Sequence, residues 1–238
     1  MKTLLVIGAS SEVGSALIAR VAERYEVIWA HYRQWNDHLE ALKGQFGDKI
    51  RFLQADLSSV PDTERMISDI KAADLIPDHI VHLTADKVFM QKFTKTKWES
   101  FDRAWTLSAR SAVLLLQAFL PKMQKRKSGK ILFMLSSATM DTPPRCQAAY
   151  VTVKYAMLGL VKSLAAEYVD KGITVNGVSP DMIQTKFISE FPDLMVEQYA
   201  STRPRKRLLS VEEVVPTFAF LLSEEADGIT GENIGIRA

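Results

Sequence analysis

Seven short apolar runs, each separated from the next by a stretch with helical spacing, constrain this chain more than any other feature. The run Ile131-Leu132-Phe133-Met134-Leu135 shows no polar alternation, which marks a strand buried on both faces, as in a parallel sheet. The same reading places strands at 3–7, 26–31, 50–54, 79–83, 130–135, 174–178 and 233–236. Helices fall at 12–24, 35–45, 61–72, 97–123, 149–169 and 211–223. Strands alternating with helices imply right-handed crossovers and helices on both faces of the sheet. The expected fold is α/β: a single-domain, doubly wound parallel sheet of about seven strands. A length of 238 residues suits one domain over 1–238, and no repeat, low-complexity stretch or linker divides it.

Composition narrows the classes of partner. Lys and Arg exceed Asp and Glu by only two, which argues against a nucleic-acid or membrane-surface protein. One cysteine, Cys146, excludes an intrachain disulfide and fits a reducing compartment. No apolar stretch approaches a membrane span, and Leu4 to Ile7 is shorter than a secretory signal requires. A cytoplasmic location is expected, with no metal site.

Three motifs then appear in order. Leu4-Leu5-Val6-Ile7 runs into Gly8-Ala9-Ser10-Ser11-Glu12-Val13-Gly14, and helical spacing follows at once. Strand, glycine turn and helix start form the context a dinucleotide turn needs. Glycine lets the backbone approach a pyrophosphate, and the helix N-terminus offers unpaired N–H groups. Ser136-Ser137 closes the 130–135 strand at its carboxyl end, where open α/β sheets place ligands, or merely terminates it. Thirteen positions later, Tyr150 and Lys154 stand one helical turn apart on one face. A phenol is a poor acid or base near neutrality, and a fixed neighbouring cation favours its phenolate. Such a pair can exchange a proton with an oxygen while a hydride moves at the adjacent carbon. Arg33, just past the second strand where no acid stands, is placed to bind a 2′-phosphate or to be a solvated loop arginine.

With these motifs in this order, the whole chain resembles the short-chain dehydrogenase/reductase family, including its 3-oxoacyl carrier-protein reductases. That implies a Rossmann-like fold and an NADP(H)-dependent oxidoreductase moving a hydride between nicotinamide and a carbonyl or alcohol. The substrate would be a ketone or a 3-oxoacyl thioester. By resemblance the catalytic residues are Ser137, Tyr150 and Lys154, with Ser108 where the family has a catalytic asparagine. Cofactor contacts fall on Gly8, Ser10, Ser11, Glu12, Val13, Gly14, Arg33, Asp56, Leu57, Thr84, Tyr150, Lys154, Pro180, Ile183 and Thr185. Asp56 serves equally well as a cap on the turn into the next helix. Residues 186–209 correspond to a loop-helix over the substrate, or to a surface helix on the sheet edge. The resemblance also implies a homodimer through the helices at 97–123 and 149–169, or a homotetramer.

Departures from the family pattern are localised. Glu12 replaces the middle glycine of the turn and is expected to point away from the phosphates. His82-Leu83-Thr84-Ala85 replaces Asn-Asn-Ala-Gly, and a histidine there reads as structural. Ser108 is expected to weaken a water relay reaching Lys154 and so reduce turnover. These changes keep a second class open, a cofactor-sensing or scaffold protein with weakened chemistry. Met134, Met140, Met182, Phe187 and Met195 are candidates for an apolar pocket or ordinary core. The cluster Arg203-Pro204-Arg205-Lys206-Arg207 is either a grip on an anionic substrate handle or a solvated patch.

Overall fold

The computed structural model describes residues 2–238. Seven parallel strands form one sheet: β1 (Thr3–Ile7), β2 (Val27–Tyr32), β3 (Ile50–Gln54), β4 (His79–His82), β5 (Gly129–Met134), β6 (Ile173–Pro180) and β7 (Asn233–Ile236). Their spatial order is β3-β2-β1-β4-β5-β6-β7, so the winding reverses between β1 and β4 and opens a crevice at the strands' carboxyl ends. The structure therefore has the expected architecture, with strand ends displaced by a residue or two from the sequence reading.

Each strand divides its side chains between two cores, as its period of two requires. In β1, Leu5 and Ile7 join Phe119, Phe133 and Val161 on one face. Leu4 and Val6 join Leu17, Leu39 and Phe218 on the other. The first face is covered by α3 (Val60–Ala72), α4 (Trp98–Trp105), α5 (Ser111–Arg126) and α6 (Ala148–Tyr168). The second is covered by α1 (Glu12–Val21), α2 (Asp37–Phe46) and α8 (Val211–Leu221). Side chains set the helix starts: Ser11 accepts from the Gly14 N–H, Asn36 from Leu39 and Ser59 from Asp62. Ser210 and Glu213 form a reciprocal capping box on α8.

The single helix expected over 97–123 is instead broken. Residues Thr106–Arg110 form a π turn between α4 and α5. Two side chains capture the Leu107 carbonyl, Ser111 Oγ at 2.7 Å and Thr84 Oγ1 at 3.3 Å. Competition for a helical carbonyl loosens the regular ladder, which explains the break. Between β6 and α8 the chain forms a short turn at Lys186–Ile188 and a nine-residue helix, α7 (Asp193–Ser201). Among the described residues, no helix is long and apolar enough to cross a membrane.

Candidate active site

A cavity of about 190 Å³ lies at the carboxyl ends of β4, β5 and β6. Its polar side carries Ser136, Ser137, Gln147, Tyr150, Lys154 and Tyr199. Phe187, Ile188 and Phe191, from the segment after β6, supply an apolar wall. Met134, Met182 and Phe187 line it, whereas Met140 and Met195 do not.

Lys154 is buried and donates from Nζ to the Met134 carbonyl at 2.7 Å. Burial lowers its pKa to about 8. Its Nζ lies 5.6 Å from the Tyr150 ring centroid, over the ring. The phenol is not biased toward phenolate as the sequence suggested: burial raises the Tyr150 pKa, and a hydrogen bond with Ser136 only partly opposes this. The lysine points at a carbonyl instead of the phenolic oxygen, so desolvation prevails. Tyr150 is thus held protonated, the form that can give a proton to a carbonyl oxygen.

The two serines have different neighbours. Ser136 bonds with Tyr150, and Ser137 faces the hydroxyl of Tyr199 on α7. Ser136, Tyr199 and the buried Asp181 were missed in the sequence. The signal for Asp181 was an acid immediately after the Ser179-Pro180 turn; Tyr199 had only its place in an amphipathic segment.

Ser108 and Lys154 have different direct hydrogen-bond partners. Ser108 is buried in the π turn, where its Oγ makes a long 3.4 Å bond to the Thr84 carbonyl. His82 behaves as a structural residue. Its Nε2 meets Ser111 Oγ at 3.0 Å and Thr84 Oγ1 at 3.3 Å. Burial first, and the Lys154 charge second, lower its pKa to about 3.

The nucleotide end of the crevice is built around the glycine turn. Gly8 has φ +93°, a conformation glycine adopts without strain. A Cβ at Gly14 would meet the Gly8 carbonyl oxygen at 2.4 Å, so that position also requires glycine. The Gly8 N–H donates to His31 Nδ1 at 3.2 Å, while His31 Nε2 contacts the Ala55 carbonyl at 3.1 Å. His31 thereby ties the turn to the end of β3. At the start of α1, the N–H groups of Glu12 and Val13 have no acceptor among the described residues, so the turn suits a bound anion such as a pyrophosphate.

Glu12 corrects the expectation that it points away. Its Oε1 accepts from the Lys186 N–H at 2.9 Å, so the carboxylate spans the crevice and lines the cavity. An exposed backbone donor within reach attracts the side chain inward. Asp56 caps its own turn, accepting from the Ser58 N–H at 2.9 Å and Ser58 Oγ at 2.7 Å. Those bonds, followed by the charge of nearby Arg33, hold its carboxyl below the ordinary range. Pro180, Ile183 and Thr185 border the cavity; Gly8, Ser10, Gly14, Arg33, Asp56, Leu57 and Thr84 do not. The basic cluster is largely paired internally. Arg205 and Arg207 bind Glu213 at 3.0 and 2.6 Å, and Arg203 approaches Asp181 at 3.5 Å.

Residues 8–237 match the protein family described as Enoyl-(Acyl carrier protein) reductase. An uncharacterized oxidoreductase of Bacillus subtilis, YmfI, is 30% identical over 99% of this chain and 97% of its own. The 3-oxoacyl-[acyl-carrier-protein] reductase FabG of Staphylococcus epidermidis is 28% identical over 99% of this chain and 97% of its own. Among solved structures, the 3-ketoacyl-(acyl-carrier-protein) reductase of Brucella melitensis complexed with NADH superposes with a TM-score of 0.89. It is 23% identical and is matched over 99% of this chain and 96% of its own. The chain belongs to the short-chain dehydrogenase/reductase family of oxidoreductases, which use nicotinamide cofactors.

Proposed function

We propose that the protein is an NADP(H)-dependent reductase of a ketone or a 3-oxoacyl thioester. The observation that carries this reading is the convergence of Ser136, Ser137, Tyr150 and Lys154 on one cavity at the carboxyl ends of the strands. The nicotinamide, when bound, supplies the hydride that reaches the carbonyl carbon. Ser137 donates a hydrogen bond to the carbonyl oxygen and fixes its direction. Tyr150 delivers its proton to that oxygen as negative charge develops there. Lys154 holds a positive charge beneath the Tyr150 ring and stabilises the phenolate left after proton transfer.

Gly8, Ser10, Ser11, Val13 and Gly14 would hold the pyrophosphate, Asp56 and Leu57 the adenine side, and Pro180, Ile183 and Thr185 the nicotinamide side, with Thr84 bordering the cofactor at the end of β4. Arg33 selects the 2′-phosphate. The segment 186–209 covers the substrate. Self-association runs through the helices at 97–123 and 149–169, whose faces expose Trp98, Trp105 and Tyr155. The fitting test is a fluorescence titration with NADPH and NADH on wild type and Arg33→Ala. NADPH should bind roughly tenfold more tightly, and Arg33→Ala should remove that preference. Equal affinities in the wild type, or an unchanged ratio in the variant, would overturn the NADP(H) assignment.

The Glu12–Lys186 bridge favours a second reading, a scaffold protein with a closed nucleotide crevice. Failure of both nucleotides to bind would select it.

A further inference from the structure

Asp181 follows the Pro180 that ends β6, and its side chain is fully buried. Oδ2 accepts from the Ala238 N–H at 3.1 Å, and guanidinium nitrogens of Arg203 and Arg237 each lie 3.5 Å from Oδ1. Oδ1 also accepts from the Tyr199 hydroxyl at 3.1 Å. The Arg203 guanidinium covers the Tyr199 ring at 4.6 Å from its centroid, fixing the ring between α7 and the end of β6.

A phenol has one proton and two acceptor positions. The Tyr199 proton is committed to Asp181, because a carboxylate only accepts. One acceptor position takes the Met182 N–H at 3.2 Å. The other faces Ser137 inside the cavity. Tyr199 therefore presents an acceptor to the cavity, whereas Tyr150 presents a proton. When Ser137 turns its own proton toward a substrate carbonyl, the acceptor on Tyr199 is released beside that carbonyl.

Building on the reductase reading above, we propose that Tyr199 is a specificity-determining residue. Its phenolic oxygen accepts a hydrogen bond from a hydroxyl or N–H group borne next to the reacting carbonyl. Of the two substrate classes above, this selects a ketone, specifically a hydroxy- or amino-substituted one. A 3-oxo thioester offers only acceptors around its reacting carbon and leaves Tyr199 unanswered.

The test compares kcat/KM for 2-hydroxycyclohexanone and cyclohexanone, two ketones that differ by one hydroxyl. Wild type should prefer the hydroxy ketone by about tenfold or more, since a site built around a substrate hydroxyl discriminates against its absence. In Tyr199→Phe, which removes only the phenolic oxygen, the ratio should fall to within about twofold, mainly through KM. A wild type without preference, or a variant that keeps it, overturns the proposal. Calorimetric titration of wild type with both ketones, with and without nucleotide, decides the matter without a variant or turnover. Equal affinities refute the role of Tyr199. Tighter binding of the hydroxy ketone with no hydride transfer to either compound supports that role and removes the reductase reading instead.

Discussion

The two ends of the crevice solve opposite problems. At the substrate end, polar side chains are paired and still face the cavity: Lys154 rests on the Met134 carbonyl, Tyr150 on Ser136 and Tyr199 on Asp181. At the nucleotide end, the pairing links the two walls of the crevice. Glu12 reaches across it to the Lys186 N–H, and Asp56 is occupied by Ser58. The first end needs only a small reorientation of hydroxyl protons before it can act. The second places a carboxylate, hydrogen-bonded to the opposite wall, beside the α1 start that an anion would approach. A motif can therefore be complete in residue types while its two ends differ in readiness.

The largest expected effect separates the two ends outright. Tyr150→Phe should lower kcat by roughly 10²–10⁴, the usual contribution of a positioned acid, while nucleotide affinity stays within about twofold. Steady-state kinetics with a parallel fluorescence titration would check this. Comparable losses in both quantities would show that the ends are not separable.

Acid should weaken the scaffold beneath both ends. Burial lowers His31 to about 4 and His79 and His82 to about 3, each from an ordinary 6.5. These histidines stay neutral in the folded chain while the unfolded chain takes up protons. Stability present above pH 6.5 is therefore lost as pH falls toward those lowered values. At pH 5 the loss is about 2 kcal/mol per histidine. Urea midpoints at pH 7 and pH 5 should show the fall, and His31→Gln should reduce it by roughly a third. Because His31 Nδ1 accepts the Gly8 N–H, its protonation in the folded chain disrupts the glycine turn directly, so nucleotide affinity should hold down to pH 5 and decline only toward pH 4, where that histidine titrates. A flat midpoint between the two pH values would contradict this account.

Glu12→Gly sharpens the comparison from the other side. Removing the carboxylate frees the Lys186 N–H and takes a negative charge from the path of the pyrophosphate. Nucleotide affinity should rise about tenfold, equivalent to ~1.4 kcal/mol. Affinity that is unchanged or weaker would mean the bridge does not compete with the nucleotide.

The same contrast explains what the sequence could reveal. The sheet was legible because runs such as Ile131 to Leu135 and Leu4 to Ile7 have no other stable environment than a strand buried on both faces. Ser137, Tyr150 and Lys154 were legible because spacing along a helix and position at a strand end carry directly into space. The direction in which Glu12 points was not legible. It depends on the Lys186 amide, far along the chain, standing across the crevice. The π turn was hidden for a similar reason, since it needs Thr84 to reach the Leu107 carbonyl from another element. Asp181 and Tyr199 acquire their roles only when β6, α7 and the C-terminus meet.

Ser108 gives the smallest and most specific test. The hydroxyl of Ser108 is committed, at 3.4 Å, to the Thr84 carbonyl, and Lys154 is committed to Met134. No direct bond joins the π turn to the lysine among the described residues. Asparagine has a longer side chain with both a donor and an acceptor, and a π turn leaves local slack for it. Ser108→Asn should therefore raise kcat roughly threefold by improving proton resupply to Lys154, with nucleotide affinity unchanged. The burial of Ser108 sets an opposing cost, because the added volume should lower the melting temperature by a few degrees. A fall in turnover with no change in melting temperature would show that proton resupply does not run through this position, and would leave the substrate end complete without it.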